Sequence, residues 1–162
     1  MKAKNFKKTD SMPYTRKAFM GGVPQSRITK FTMGDTSKDF ESRVELVSTE
    51  KAHVSHNALE AARIAAVRVL ETAFGREDFL LKVVPYPHDV IRHHKRVSVA
   101  QADRYQEGMK RAYGKPFGVA ARVEPGQALI TVGVPVGGIE TAKEALKRAS
   151  AKFPVTCKIV AN

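Results

Sequence analysis

Bases, aromatics and small residues alternate between Arg104 and Phe117. Arg104, Tyr105, Lys110, Arg111, Tyr113, Lys115 and Phe117 stand among Gly108, Ala112, Gly114 and Gly118. Lysine and arginine neutralise phosphates, aromatic rings stack on unpaired bases, and glycine lets backbone approach closely. The combination points to RNA contact rather than to bond-making chemistry; the plainer alternative is a solvated loop. Just upstream, Arg92-His93-His94-Lys95-Arg96 reads as a second phosphate-contacting stretch.

Other chemistries find less support. His53 and His56 sit three apart and His88, His93 and His94 cluster loosely. Structural zinc needs about four ligands, usually as tight Cys or His pairs. With Cys157 the only cysteine, no metal site is expected, and the histidines read as surface or RNA-facing. Cys157 lies in an expected strand, with no histidine or acid nearby in sequence, and reads as an inert packing residue. Gly133, Gly137 and Gly138 precede a helix, but their spacing fits neither a dinucleotide fingerprint nor a P-loop. They read as a tight connection whose helix N-terminus is open to a phosphate. No catalytic group and no cofactor is expected.

Charge supports the polyanion reading. The 162 residues carry 28 Lys plus Arg against 16 Asp plus Glu, a net +12. Residues 1–30 hold eight bases and one acid, residues 31–75 five and seven, and residues 76–116 nine and five. A near-neutral block therefore separates two positive ones, read as an arm and a binding surface. In the first block Lys2, Lys4, Lys7, Lys8, Arg16, Lys17, Arg27 and Lys30 are candidate RNA contacts. No stretch approaches the roughly 20 apolar residues of a membrane span. A mitochondrial presequence helix would be broken by Pro13, Gly21, Gly22 and Pro24. A single cysteine fits a reducing cytoplasm, with no membrane partner.

These groups need a scaffold, and 43% hydrophobic residues suffice for a core. Residues 1–25 lack periodicity and read as an extended arm; residues 26–162 read as one domain with an inserted loop at 98–118. Leu59, Ala62, Ala66, Val69, Leu70 and Ala73 predict a helix over 57–74. Asn57 with Glu60 offers a capping box, Ser55 a rival cap, and Gly75 a stop. Ile139, Ala142, Ala145, Leu146 and Ala149 predict a second helix over 139–152. Strands are expected near 26–33, 43–47, 79–84, 89–94 and 155–160, with 119–123 and 128–134 joined as a hairpin across 124–127. The fold class is α+β: two helices packed on a mixed, mostly antiparallel sheet, with the basic arm and long basic loop attached.

The stretch Gln101-Ala-Asp-Arg-Tyr-Gln-Glu-Gly-Met-Lys-Arg-Ala-Tyr-Gly-Lys-Pro116 resembles the signature loop of a universal large-subunit ribosomal protein family. That family is numbered L-sixteen in bacteria and L-ten-e in archaea and eukaryotes. Asn57–Ile64, Tyr86–Arg92, Ala121–Val123 with Gly126-Gln127, Glu144–Ala149 and Lys152–Pro154 are similar to its other elements in the same order. The Ala-Asp-Arg and Gly-Lys-Pro pieces resemble the archaeal or eukaryotic branch. One departure lies in the first dozen residues. The family has a Lys-Pro and then Tyr-Arg; this chain has Lys4-Asn-Phe-Lys-Lys8 and rejoins the pattern at Pro13-Tyr14.

The resemblance implies a structural rRNA-binding protein beside the cleft that receives aminoacyl-tRNA, among neighbouring ribosomal proteins. It implies that the loop at 98–118 reaches toward the tRNA acceptor arms, with Arg104, Lys110, Arg111 and Lys115 as contacts. The alternative is a free-standing RNA-binding or ribosome-assembly protein.

Overall fold

The computed structural model describes residues 2–9, 20–95, 102–105, 108 and 113–161. The expected first helix forms as α1, His56–Phe74, and buries Leu59, Ala62, Ala66, Val67 and Leu70. Of the two candidate caps the structure uses Ser55, whose hydroxyl accepts from the Ala58 N–H at 3.3 Å. Gly75, at φ +80°, closes the helix by donating its N–H to the Glu71 carbonyl. The second long helix, here α3, spans Ile139–Ser150 and buries Ala142, Ala145, Leu146 and Ala149. Alanines on both stripes let α1 and α3 pack closely against each other. A single turn, α2, lies between them at Ala102–Tyr105.

Among the described residues eight strands form two sheets, and every pairing is antiparallel. They are β1 Thr32–Gly34, β2 Ser42–Ser48, β3 Ala52–Ser55, β4 Leu80–Val83, β5 Asp89–His93, β6 Lys115–Val123, β7 Ala128–Val134 and β8 Cys157–Ala161. The larger sheet has the order β1-β4-β7-β2-β8, and the smaller β3-β6-β5. On β2, Val44 and Leu46 are fully buried while Arg43 and Glu45 alternate with them. The main core joins these residues to Leu81, Ile130, Val132, Leu59, Leu70 and Leu146. Full burial of each leucine is worth about 1.5–3 kcal/mol.

The α+β class stands, but three expectations need correction. The sheet is not mixed: among the described residues there are two sheets, each wholly antiparallel. The strands 119–123 and 128–134 are not a hairpin. The turn between them exists, with Gln127 N–H donating to the Glu124 carbonyl at 3.2 Å, but it carries the chain from one sheet to the other. Both edges of β6 are taken by β3 and β5, and both edges of β7 by β2 and β4. Of the strand expected over 26–33, only Thr32–Gly34 forms; Ile28 is buried without strand pairing.

Candidate nucleic-acid interface

The smaller sheet positions one cluster of the described candidate residues, Arg92 to Lys95 with Lys115. Its β5–β6 pair ends at Arg92↔Pro116 and His93↔Lys115, after a bulge between Ile91 and Arg92. The basic loop leaves from this end. Gly114 makes the exit possible. At φ +75° it occupies the left-handed region, and a Cβ there would sit 2.5 Å from the His93 carbonyl carbon and the His94 nitrogen. Around the exit, the Arg92 guanidinium lies 5.5 Å from the Tyr113 ring centroid. The His93 ring meets Phe117 edge-on at 5.5 Å. Tyr113, Phe117 and, on α2, Tyr105 are exposed. Cations over and beside exposed aromatic faces are the arrangement that holds unpaired bases and their phosphates.

The described start of the arm reaches the same sheet. Residues Ala3–Asn5 make one 3-10 turn. The chain then docks on β3: the Lys7 carbonyl accepts from the His53 N–H at 2.9 Å, and the Phe6 carbonyl lies 3.2 Å from His53 Nδ1. The other ring nitrogen, Nε2, is 2.9 Å from Asp89 Oδ2, and Arg122 Nε is 3.5 Å from that oxygen. One ring nitrogen of His53 thus faces a backbone carbonyl of the arm and the other the Asp89 carboxylate. His53, Arg122 and Asp89 come from β3, β6 and β5, so one polar chain, buried at His53 and Asp89, spans the sheet from the arm to the strand that leads into the loop. Lys7 also pairs with Glu50 at 2.6 Å, and Glu50 accepts from the Thr156 hydroxyl. The Lys7 ammonium and then the Thr156 hydroxyl hold the Glu50 carboxyl down at about 2. The far end of the arm returns at Met20, buried with Val90 and Val119.

The candidate residues therefore divide. Lys95 and Lys115 are exposed at the loop exit, with Arg92, His93 and His94 partly buried beside them, and Arg104 is exposed on α2. Lys2, Lys4 and Lys8 are exposed on the arm, while Lys7 is turned to Glu50. Arg27 and Lys30 precede β1; the Arg27 N–H donates to His56 Nδ1 at 2.9 Å. Arg16, Lys17, Arg96, Lys110 and Arg111 lie outside the described residues, as do 98–101, 106–107 and 109–112 of the loop.

The reading of all histidines as surface groups fails at His53 and His56, which are buried. Burial and then the Arg27 charge push the His56 ring below its ordinary value. Among the described residues no group of histidine, cysteine and carboxylates is placed to hold a metal. The Cys157 thiol is pushed up by burial and then by Glu50, which suits an inert role. Sequence reasoning missed Asp89 and Arg122 as organisers of the site; the available signal was an acid opening a strand inside a basic block. It also missed Tyr86, an exposed ring stacked on Phe31 at 5.5 Å.

Comparison with known proteins identifies the family. Residues 7–160 match the family model described as ribosomal protein L16p/L10e. Large ribosomal subunit protein uL16 of Staphylothermus marinus is 47% identical over 148 residues, 91% of this chain and 85% of that protein. The uL16 proteins of Thermoplasma acidophilum and Methanococcus maripaludis are 43% and 40% identical, each across 98% of this chain and 90% and 91% of their own lengths. With a family match across nearly its whole length and archaeal relatives at this identity, the chain belongs to the ribosomal protein L16p/L10e family.

Proposed function

We propose that the protein binds large-subunit rRNA through its arm and the loop-bearing end of its smaller sheet, and that its loop helps shape the region where aminoacyl-tRNA is accommodated. As a member of its family it is a structural constituent of the large ribosomal subunit in the cytoplasm, associated with rRNA and other ribosomal proteins, and not an enzyme. The observation that carries the finer reading is the meeting of two positive segments on one three-stranded sheet. Phe6 and Lys7 dock on β3, and the basic loop leaves β5 and returns into β6. Each segment alone is repelled by the other, and an RNA polyanion between them relieves that repulsion. The role is positional: cations screen phosphates, rings stack on bases, and the peptide-bond chemistry stays with the RNA.

The test replaces Arg104, Lys110 and Arg111 together with alanine. Thermal stability and incorporation into large subunits are expected to stay near wild type, while binding of aminoacyl-tRNA falls. Normal tRNA binding by fully loaded mutant subunits would reject the role of the loop. Failure to incorporate would make these residues assembly anchors instead. Affinity for an rRNA fragment should also fall steeply with salt, the log–log slope growing by about 0.7–0.9 per phosphate neutralised.

A further inference from the structure

One end of this basic protein is acidic. The stretches 35–41 and 71–78 hold Asp35, Asp39, Glu41, Glu71, Glu77 and Asp78 against only Lys38 and Arg76. They border a groove of about 650 Å³ between the start of β2, the end of α1 and the β7–α3 connection. Its apolar lining is Phe40, Phe74, Pro135 and Val136, and Val136 is 75% exposed. Two glycines seat the rings. A Cβ on Gly133 would lie 3.1 Å from Phe40 Cβ, and one on Gly138 would lie 2.8 Å from Phe74 Cζ. Lys38 is occupied, donating to Asp78 at 2.9 Å and to the Glu77 carbonyl at 3.2 Å. Asp39 and Glu41 stand exposed on the rim, with no ion pair among the described residues. The seven residues of β2 separate this groove from the Glu50 contact of the arm, about 20 Å of extended chain.

From this we infer that the groove docks a lysine- or arginine-rich segment of a neighbouring ribosomal protein, which inserts one apolar side chain between Phe40, Phe74 and Val136 while its bases meet Asp39 and Glu41. The acidic rim repels phosphate, so RNA is the wrong occupant, and the phosphate once open to the α3 N-terminus is disfavoured for the same reason. A second copy of this chain, at net +12, is held off by its own charge unless it offers a basic segment alone. A partner seated on the same RNA is basic for the reason this chain is.

The experiment places a benzophenone amino acid at position 136, assembles the protein into large subunits, irradiates, and maps adducts by mass spectrometry. A position on the outer face of α3, Glu140, serves as control. The expected result is one dominant adduct to a basic segment of a single ribosomal protein. The paired change Asp39→Asn with Glu41→Gln, which keeps size and hydrogen bonding, should lower its yield about fivefold at unchanged incorporation, as losing two rim ion pairs implies. An adduct to rRNA, a yield no higher than from position 140, or a yield indifferent to the paired change would overturn the proposal. None of these outcomes bears on the RNA role of the loop at the other sheet.

Discussion

Replacing Gly114 with alanine tests the geometry of the loop exit, and Gly126→Ala supplies its control. Both glycines hold left-handed backbone, at φ +75° and +82°. An L side chain in that region costs about 1–2 kcal/mol. Their surroundings differ: a Cβ at Gly126 meets nothing within 4 Å, whereas one at Gly114 lies 2.5–2.7 Å from three backbone atoms of His93 and His94. Backbone in a paired strand yields only by opening. If the hairpin end opens, it loses the His93–Lys115 pairing and the His93–Phe117 edge contact. A net hydrogen bond and an aromatic pair are each worth about 0.5–1.5 kcal/mol. Gly114→Ala is therefore expected to cost about 2–5 kcal/mol in urea unfolding and Gly126→Ala about 1–2. Amide exchange at Lys115 should accelerate only in the Gly114 variant, and rRNA affinity should weaken only there. Equal losses from the two variants, with unchanged exchange at Lys115, would refute the account of how the loop is launched.

Further outcomes follow from the core and the arm. Leu70→Ala and Leu146→Ala, both at fully buried positions, should each cost about 2–5 kcal/mol in the same unfolding assay, and a loss typical of surface sites would contradict the packing. Glu50 sits well below its ordinary 4.5, at about 2, so its contribution is complete above about pH 4.5 and is lost as pH falls toward 2. Glu50→Gln should remove that acid dependence and raise amide exchange in Phe6–Lys8; an unchanged profile would deny Glu50 the arm contact. His56 is depressed by burial and by Arg27, so the fold favours the neutral ring, and stability holds above about pH 6.5 and declines below it. His56→Gln should flatten that decline, and urea midpoints measured across pH 5–8 would show it.

What the sequence disclosed depended on whether the physics was local. The stripe Leu59, Ala62, Ala66, Leu70 and the stop at Gly75 are set within single turns of chain, so α1 was legible almost to the residue. The bases and rings Arg104, Tyr113 and Lys115 can be read from residue type alone, and their contact with RNA stands as the proposal above. Strand partners were not. Val119–Ala121 and Leu129–Ile130 are apolar runs buried on both faces, and nothing in either says which strand lies beside it. Ala52–Ser55 was missed because four residues leading straight into a helix offer no alternation to read. The polar chain through His53, Asp89 and Arg122 joins three strands distant in sequence, so the acid in the basic block looked incidental until the sheet was formed.

The pairing scheme also governs how fast this chain reaches its native state. Among the described strands, only β1 and β4 find each other within the first 95 residues. Leu46 waits for Ile130 and Ile159, and Val54 waits for Ala121. Glu50 meets Thr156 across 106 positions. Such separations give a high contact order, because loop closure must be completed before most pairings repay it. Folding should fall in the millisecond-to-second range of β-rich domains rather than among fast helical bundles. A nascent chain truncated before β6 has no finished sheet, and α1 has only part of its packing surface. The two positive segments therefore take up their shared position only once β6, which ends at Val123, has been made.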